Sequence, residues 1–316
     1  MKYESLIFDI DGTLWDSREL VAEGFNIQLR KEGFDHLCMD AETLRPLFGK
    51  VMNELADAIL VGDEEQIRSV AEDLSISLEP YTIIHEPDAV QCCKKAVSLV
   101  REGRADVLMK GLVDTAVVMK EVLQGDTGLR TERLLSHVAV FEVPGFEKLF
   151  YLSDAAMNIA PDVEQKKQII LNAVDVAHAL GNPDPIVACV CAVEKVKPKM
   201  PATIEAAALS EAALPGCRVV GPLALDNAVS VEAAHHKGIT DPLAGHADIL
   251  LMPDIEAGNI MYKTLVFLGK ARNAGIIIGA KAPIILTSRA DSHESKLNSI
   301  ALALHVAAFY SKETHI

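Results

Sequence analysis

Along most of the chain, short apolar runs alternate with segments whose apolar residues recur at helical spacing. The runs that predict strands are Ser5–Asp9, Ala58–Val61, Val107–Lys110, Ala139–Glu142, Leu149–Leu152, Ile186–Val193, Arg218–Val220, Ile249–Met252 and Ile276–Ile278. Helical spacing covers Ser17–Lys31, Glu64–Asp73, Pro87–Arg101, Asp114–Leu123, Asp162–Leu180, Pro201–Glu211, Ser230–Lys237 and Tyr262–Asn273. Strand followed by helix, repeated, predicts βαβ units. The expected class is α/β, with mostly parallel sheets and helices on both faces.

The strand-like run Ile276–Leu286, interrupted at Gly279-Ala-Lys-Ala-Pro283, ends abruptly in Thr287, Ser288, Arg289, Asp291 and Ser292. Leu297, Ile300, Ala301 and Leu304 then recur at helix spacing. In an open α/β sheet, anions bind at the carboxyl end of a strand, against the next helix N-terminus. A capping serine or aspartate would explain one of these polar residues. It would not explain an arginine among them.

Other strand ends repeat the theme more weakly. Lys110-Gly-Leu-Val-Asp-Thr115 sets a lysine, a glycine and a hydroxyl at a turn, without the order of a Walker P-loop. Gly128-Leu-Arg130 and Ser136 flank a short element, and an arginine there is suited to clamp phosphate. Glu256, Gly258 and Asn259 follow the strand that ends at Met252. His235 and His236 are adjacent, so on a helix they face different directions and suit structure better than metal.

Composition narrows the classes. Half of the 316 residues are hydrophobic and only 5% aromatic, which suits sheets covered by helices. A net charge of −15 argues against nucleic acid or an anionic membrane as partner, but leaves small anions open. Met1-Lys-Tyr-Glu4 runs straight into a strand, so no secretory leader is expected, and no apolar run is long enough to span a bilayer. The six cysteines have no metal-ligand spacing and read as buried reduced thiols of a cytoplasmic protein.

Taken in order, a series of runs resembles the phosphate acetyl/butyryltransferase family, its butyryl-transferring members most. The runs are Ala56–Asp63, Met109–Leu112, Gly128–Arg130, Ser136–Glu142, Val190–Glu194, Pro198–Pro201, Gly221–Asp226, Ala234–Gly238, Gly258–Lys263 and Leu286–His293. They cover roughly four-fifths of the chain, from about Ala56 to about Ala307. The resemblance implies reversible acyl transfer between coenzyme A and inorganic phosphate, with a butyryl or branched chain expected. It also implies a two-domain fold like that of isocitrate and isopropylmalate dehydrogenases, with the site in the cleft. The domains would be 56–138 with 280–316, and 139–279. The substrates would be acyl-CoA and phosphate, no cofactor would be needed, and the assembly would be a homo-oligomer.

Acyl transfer of this kind needs a cationic cradle for phosphate, a donor to the developing oxyanion and control of the thiol proton. Carried onto this sequence, Arg130, Arg289 and Ser136 would hold phosphate. Ser288 would donate to the oxyanion or the leaving sulfur, and Asp291, in competition with Glu294, would handle the thiol proton. Lys110, Thr287 and Asn259 complete the expected substrate-binding set. Direct attack in a ternary complex is expected, without an acyl-enzyme.

Residues 1–55 differ. Leu6-Ile-Phe8-Asp9-Ile10-Asp11-Gly12-Thr13-Leu14 resembles the first motif of haloacid dehalogenase-like hydrolases of the phosphoglycolate phosphatase type. In that superfamily such aspartates act with Mg²⁺, but the later lysine and acidic pair have no counterpart here. Asp9 and Asp11 are therefore expected to be vestigial, with Mg²⁺ relevant only if this fragment were active. The expected structural role is that Ser5–Asp9 supplies a strand, and a helix near Glu42–Asp57 follows. Phosphatase activity or a non-catalytic coenzyme A-binding protein are the alternative readings.

Overall fold

The computed structural model of the chain describes residues 6–8, 58–73, 76–286 and 292–313. They fall into two compact units. One takes in the described residues up to Leu129 together with those of Ile285–Ile300; the other comprises Arg130–Ile284 and the described residues from Ala301 onward.

In the first unit, β1 (Leu6–Phe8), β2 (Ala58–Gly62), β3 (Thr82–His85) and β4 (Val107–Met109) are parallel, in the order β3-β2-β1-β4. The expected N-terminal strand is thus present as β1, with Ile7 opposite both Ile59 and Leu108. Apolar runs suit β2 and β4, which are buried almost throughout. β3 was not expected from the sequence, and its reason is burial: Thr82 and His85 are exposed and only Ile83 and Ile84 are half-buried. Between strands run α1 (Glu64–Asp73), α2 (Ala89–Arg101) and α3 (Thr115–Val122). Each starts at an aspartate. Asp88 Oδ1 accepts from the Val90 and Gln91 amides at 3.1 and 2.9 Å, and Asp114 Oδ1 from Ala116 at 2.8 Å.

The second unit contains β5 (Ser136–Glu142), β6 (Leu149–Ser153), α4 (Val163–Ala179), β7 (Ile186–Val190), α5 (Pro201–Glu211), β8 (Arg218–Leu223), α6 (Leu225–Val229) and α7 (Val231–His236). After them come β9 (Ile249–Leu251), α8 (Ile255–Lys263) and β10 (Arg272–Ile278). Its strand order is β10-β5-β6-β9-β7-β8. Phe141, Leu152, Ala188 and Leu250 pack together in its core. α4 begins with a capping box, Asp162 accepting from the Gln165 amide at 2.8 Å and Gln165 Oε1 from the Asp162 amide at 2.9 Å.

The sheet of this unit is mostly parallel, as expected, but mixed, because β5 is antiparallel to both β6 and β10. Only a short link with Gly145 at φ 89° joins β5 to β6, and a parallel pair needs a crossover of about a dozen residues or more. The helix expected over Tyr262–Asn273 is displaced. α8 starts at Ile255 because Asp254 caps it, accepting from the Ala257 amide at 2.8 Å. A π turn at Thr264–Leu268 and Lys270 at φ 53° then end the helix, and Arg272 onward pairs with β5 instead.

The interruption read within Ile276–Leu286 is a hairpin turn into β11 (Ile284–Ile285), with Ile284 opposite Ile277. Gly279 makes that turn at φ 101°, where a Cβ would lie 2.3 Å from Leu134 O. The last helix is α9 (His293–Glu313). The helices expected at Ser17–Lys31 and near Glu42–Asp57 lie outside the described residues, as do Asp9 and Asp11.

Candidate active site

In the first unit, the carboxyl ends of parallel strands carry the polar residues. β2 ends at Gly62-Asp63, and Asp63 Oδ1 accepts from the Glu65 amide at 3.0 Å. At the end of β3, His85 Nδ1 accepts from the Glu64 amide at 3.1 Å. β4 delivers Lys110, whose side chain is largely buried and donates from Nζ to Gly111 O at 2.8 Å. The Lys110 amide donates to Ile285 O at 2.9 Å. The chain therefore runs alongside Lys110 at the end of β11. Thr287, Ser288, Arg289 and Asp291 themselves lie outside the described residues. Ser292 follows them and caps α9, its Oγ accepting from the Ser295 amide at 3.1 Å. Glu294, the competitor of Asp291, sits half-buried in the first turn of that helix.

In the second unit, Arg130 is exposed and bridges to Ala280, just past the Gly279 turn. Thr131 Oγ1 holds that turn by donating to Gly279 O at 2.6 Å. Ser136 opens β5 and is fully enclosed. Its Oγ accepts from Asn172 Nδ2 at 2.8 Å, and the same amide donates to Leu134 O at 2.8 Å. Asn172 is also fully buried, and its Oδ1 has no hydrogen-bond partner among the described residues. Sequence reasoning passed over Asn172, although a polar residue within the apolar face Ile169–Val174 of a helix was a usable signal.

Asn259 is exposed on α8, donating from Nδ2 to Ala155 O at 3.2 Å. Gly258 beside it lies against the backbone of Asp154 and Ala155. Asp154 is a buried anchor: its carboxylate accepts from the amides of Ala156, Met157 and Asn158 at 2.8, 3.0 and 3.2 Å, and from Asn158 Nδ2 at 2.6 Å. Together these residues fix the N-terminal half of α8 against the end of β6.

A second polar network was not anticipated. Glu194, after β7, accepts from Lys237 Nζ at 2.5 Å and from Asn227 Nδ2 at 2.6 Å, while Asp226 Oδ2 lies 3.3 Å from Lys237. The bond from Lys237 holds the Glu194 carboxyl below its usual range, and the same bond raises Lys237. Three runs far apart in sequence are tied here.

Cys92, Cys93, Cys189 and Cys191 are buried and form no disulfide among the described residues, which matches the expected buried reduced thiols. Burial pushes Cys189 up to about 12 and Cys191 up to about 11, so neither is a nucleophile near neutrality. Among the described residues, no three His, Cys, Asp or Glu side chains converge as metal ligands. Among them, too, no helix is long and apolar enough to cross a membrane.

Comparison with known proteins places these features in context. The family described as phosphate acetyl/butaryl transferase matches residues 87–304. A phosphate butyryltransferase of Clostridium acetobutylicum is 50% identical over 275 residues, spanning 86% of this chain and 91% of its own length. A probable phosphate butyryltransferase of Bacillus subtilis is 49% identical over 276 residues, spanning 86% of this chain and 92% of its own. The crystal structure of a branched-chain phosphotransacylase from Enterococcus faecalis matches with a TM-score of 0.75 at 32% identity, covering 97% of this chain and 99% of that one. The hydrolase likeness of the first 55 residues gains no support: the family match starts at residue 87, and Asp9 and Asp11 are not among the described residues.

Proposed function

The chain belongs to the phosphate acetyl/butaryl transferase family, and on that premise we propose that it moves a butyryl or branched short acyl group between coenzyme A and inorganic phosphate. It is an acyltransferase, and the reaction is reversible. A phosphate oxygen attacks the thioester carbon, the carbon–sulfur bond breaks, and the products are an acyl phosphate and the free thiol. The observation that carries this reading is the near end-to-end likeness, at half identity, to butyryltransferases.

Roles follow from chemistry. Arg289 and Arg130 serve as phosphate ligands, since a guanidinium fork matches two phosphate oxygens. Lys110 adds a fixed ammonium at the end of β4, supported by its bond to Gly111 O. Ser288 donates to the thioester oxygen as it gains charge, or to the departing sulfur. Asp291, or Glu294 in its place, takes the thiol proton in the reverse direction. Thr287 and Asn259 retain substrate-binding roles. Ser136 we assign a positioning part, because its hydroxyl is enclosed and engaged by Asn172.

The fold plan we infer is that of isocitrate and isopropylmalate dehydrogenases, which the mixed sheet of the second unit supports. Self-association is supported by apolar side chains left in solvent on that unit, with Ile260 at 67% and Leu268 at 80% exposure. The buried thiols, none in a disulfide among the described residues, support a reducing, cytoplasmic setting. No cofactor beyond the thioester substrate enters the scheme.

The test is phosphate-dependent release of free thiol from butyryl-CoA, isobutyryl-CoA and acetyl-CoA. Release with butyryl- or isobutyryl-CoA ahead of acetyl-CoA is the expected result. No release from any short acyl-CoA would sink the proposal.

A further inference from the structure

One apolar cavity of the first unit enters the roles above only through the lysine at its edge. It measures about 30 Å³ and lies under the carboxyl ends of β2 and β4, where α2 and α3 pack. Val61 and Met109 come from the strands, Cys93, Ala96 and Val97 from α2, and Val118 from α3. Lys110 and Gly111 form its polar edge.

Its chemistry selects an apolar guest. Two polar side chains of the lining are engaged within the protein: Lys110 Nζ with Gly111 O at 2.8 Å, and Cys92 Sγ with Val61 O at 3.1 Å. A water would need 2–4 polar partners in such a space, whereas a cavity walled by aliphatic side chains stays dry and takes hydrocarbon. A volume of 30 Å³ matches about one carbon or one water. A guest of this size is the end of a chain rather than a whole ligand.

The reaction says which chain. In the acyl phosphate, one carbonyl carbon joins the hydrocarbon tail to the phosphate oxygen. Whatever holds the tail must therefore lie within a few bonds of whatever holds the phosphate. An apolar cavity edged by a lysine assigned to phosphate meets that requirement. We propose that this cavity receives the end of the acyl tail, and that Ala96, Val97 and Val118 set the chain length the enzyme accepts. The inference rests on the acyl-transfer reading and adds the residues that give it chain-length preference.

Length discrimination then follows from burial. Each methylene withdrawn from water is worth about fourfold in kcat/KM, so a cavity that admits about one terminal carbon favours butyryl over acetyl about fourfold. Kinetics with acetyl-, butyryl- and hexanoyl-CoA test this on the full chain. Ala96→Leu fills the cavity and should lower the butyryl-to-acetyl ratio of kcat/KM about fourfold. Val118→Ala enlarges it and should raise the hexanoyl-to-butyryl ratio severalfold. Ratios within twofold of wild type in variants with native circular dichroism would overturn the proposal. If Ala96→Leu does not fold, Val118→Ala decides alone. Wild-type protein that releases thiol from no acyl-CoA would remove the underlying reading as well, an outcome distinct from unchanged ratios.

Discussion

Ser136→Ala separates two roles that residue type alone leaves equivalent. The side chain has no exposure, and its Oγ receives one N–H of Asn172 at 2.8 Å while Leu134 O receives another from the same amide at 2.8 Å. Removing the hydroxyl leaves one buried donor of Asn172 without an acceptor, beside an Oδ1 that already has none. A lost net hydrogen bond costs about 1 kcal/mol and a stranded buried donor about 1–3 kcal/mol, so roughly 2 kcal/mol is expected. In a unit of this size that lowers Tm by about 4–8 °C. The KM for phosphate should stay within about twofold, because a group enclosed by protein gives phosphate no bond to lose. Differential scanning fluorimetry and phosphate titration at saturating acyl-CoA measure both. A tenfold rise in the phosphate KM with an unchanged Tm would refute the positioning role and restore Ser136 to direct contact.

Three further outcomes follow from other parts of the structure. Lys166 is buried and paired with Glu205, whose side chain is 29% exposed. Glu205→Leu strands the ammonium and should cost about 3 kcal/mol, while adding Lys166→Met should recover most of the loss. Denaturant melts of the two singles and the double decide, and simple additivity would contradict the pairing. At Gly258, a Cβ would sit 2.1 Å from Asp154 O and 3.0 Å from Ala155 Cα, so Gly258→Ala must push α8 off β6. A stability loss of about 1–3 kcal/mol is expected, with a raised KM for acyl-CoA if Asn259 binds it. Cys189 and Cys191 give a pH dependence. Their folded values of about 12 and about 11 lie above the ordinary 9.0, so folding favours the protonated thiol. That contribution is complete below pH 9 and is lost as pH rises through 11 to 12. Urea midpoints should fall between pH 9 and 11, and Ellman's reagent at pH 8 should reach these thiols only after unfolding.

Local pattern was sufficient where one element decides its own structure. α1 and α5 begin and end where helical spacing predicts, and β2 and β4 differ from expectation by a single residue. It failed where a neighbour decides. β3 is a strand because Ile59–Gly62 offers it a partner, since its own four residues are half exposed. Arg272 and Asn273 leave the helical pattern because β5 pairs with them, and periodicity in a short window contains no record of β5.

The same division runs through the site. Lys110 was legible from its position at a strand end before a turn, and the bond from its amide to Ile285 O depends on a segment 175 residues later (285 − 110). Glu194, Asn227 and Lys237 stand in or beside three of the runs that carried the family resemblance. Their joining across |i−j| of 33 and 43 belongs to the tertiary fold alone. Ser136 shows the limit most sharply. A hydroxyl at the first residue of a strand is an equally good phosphate donor or buried acceptor until Asn172, at |i−j| of 36, takes one of those options away. A sequence motif therefore states which chemistry a position can supply. Which of its partners is water, substrate or protein is settled by distant residues, and it is at Asn172 rather than at Ser136 that this choice was made.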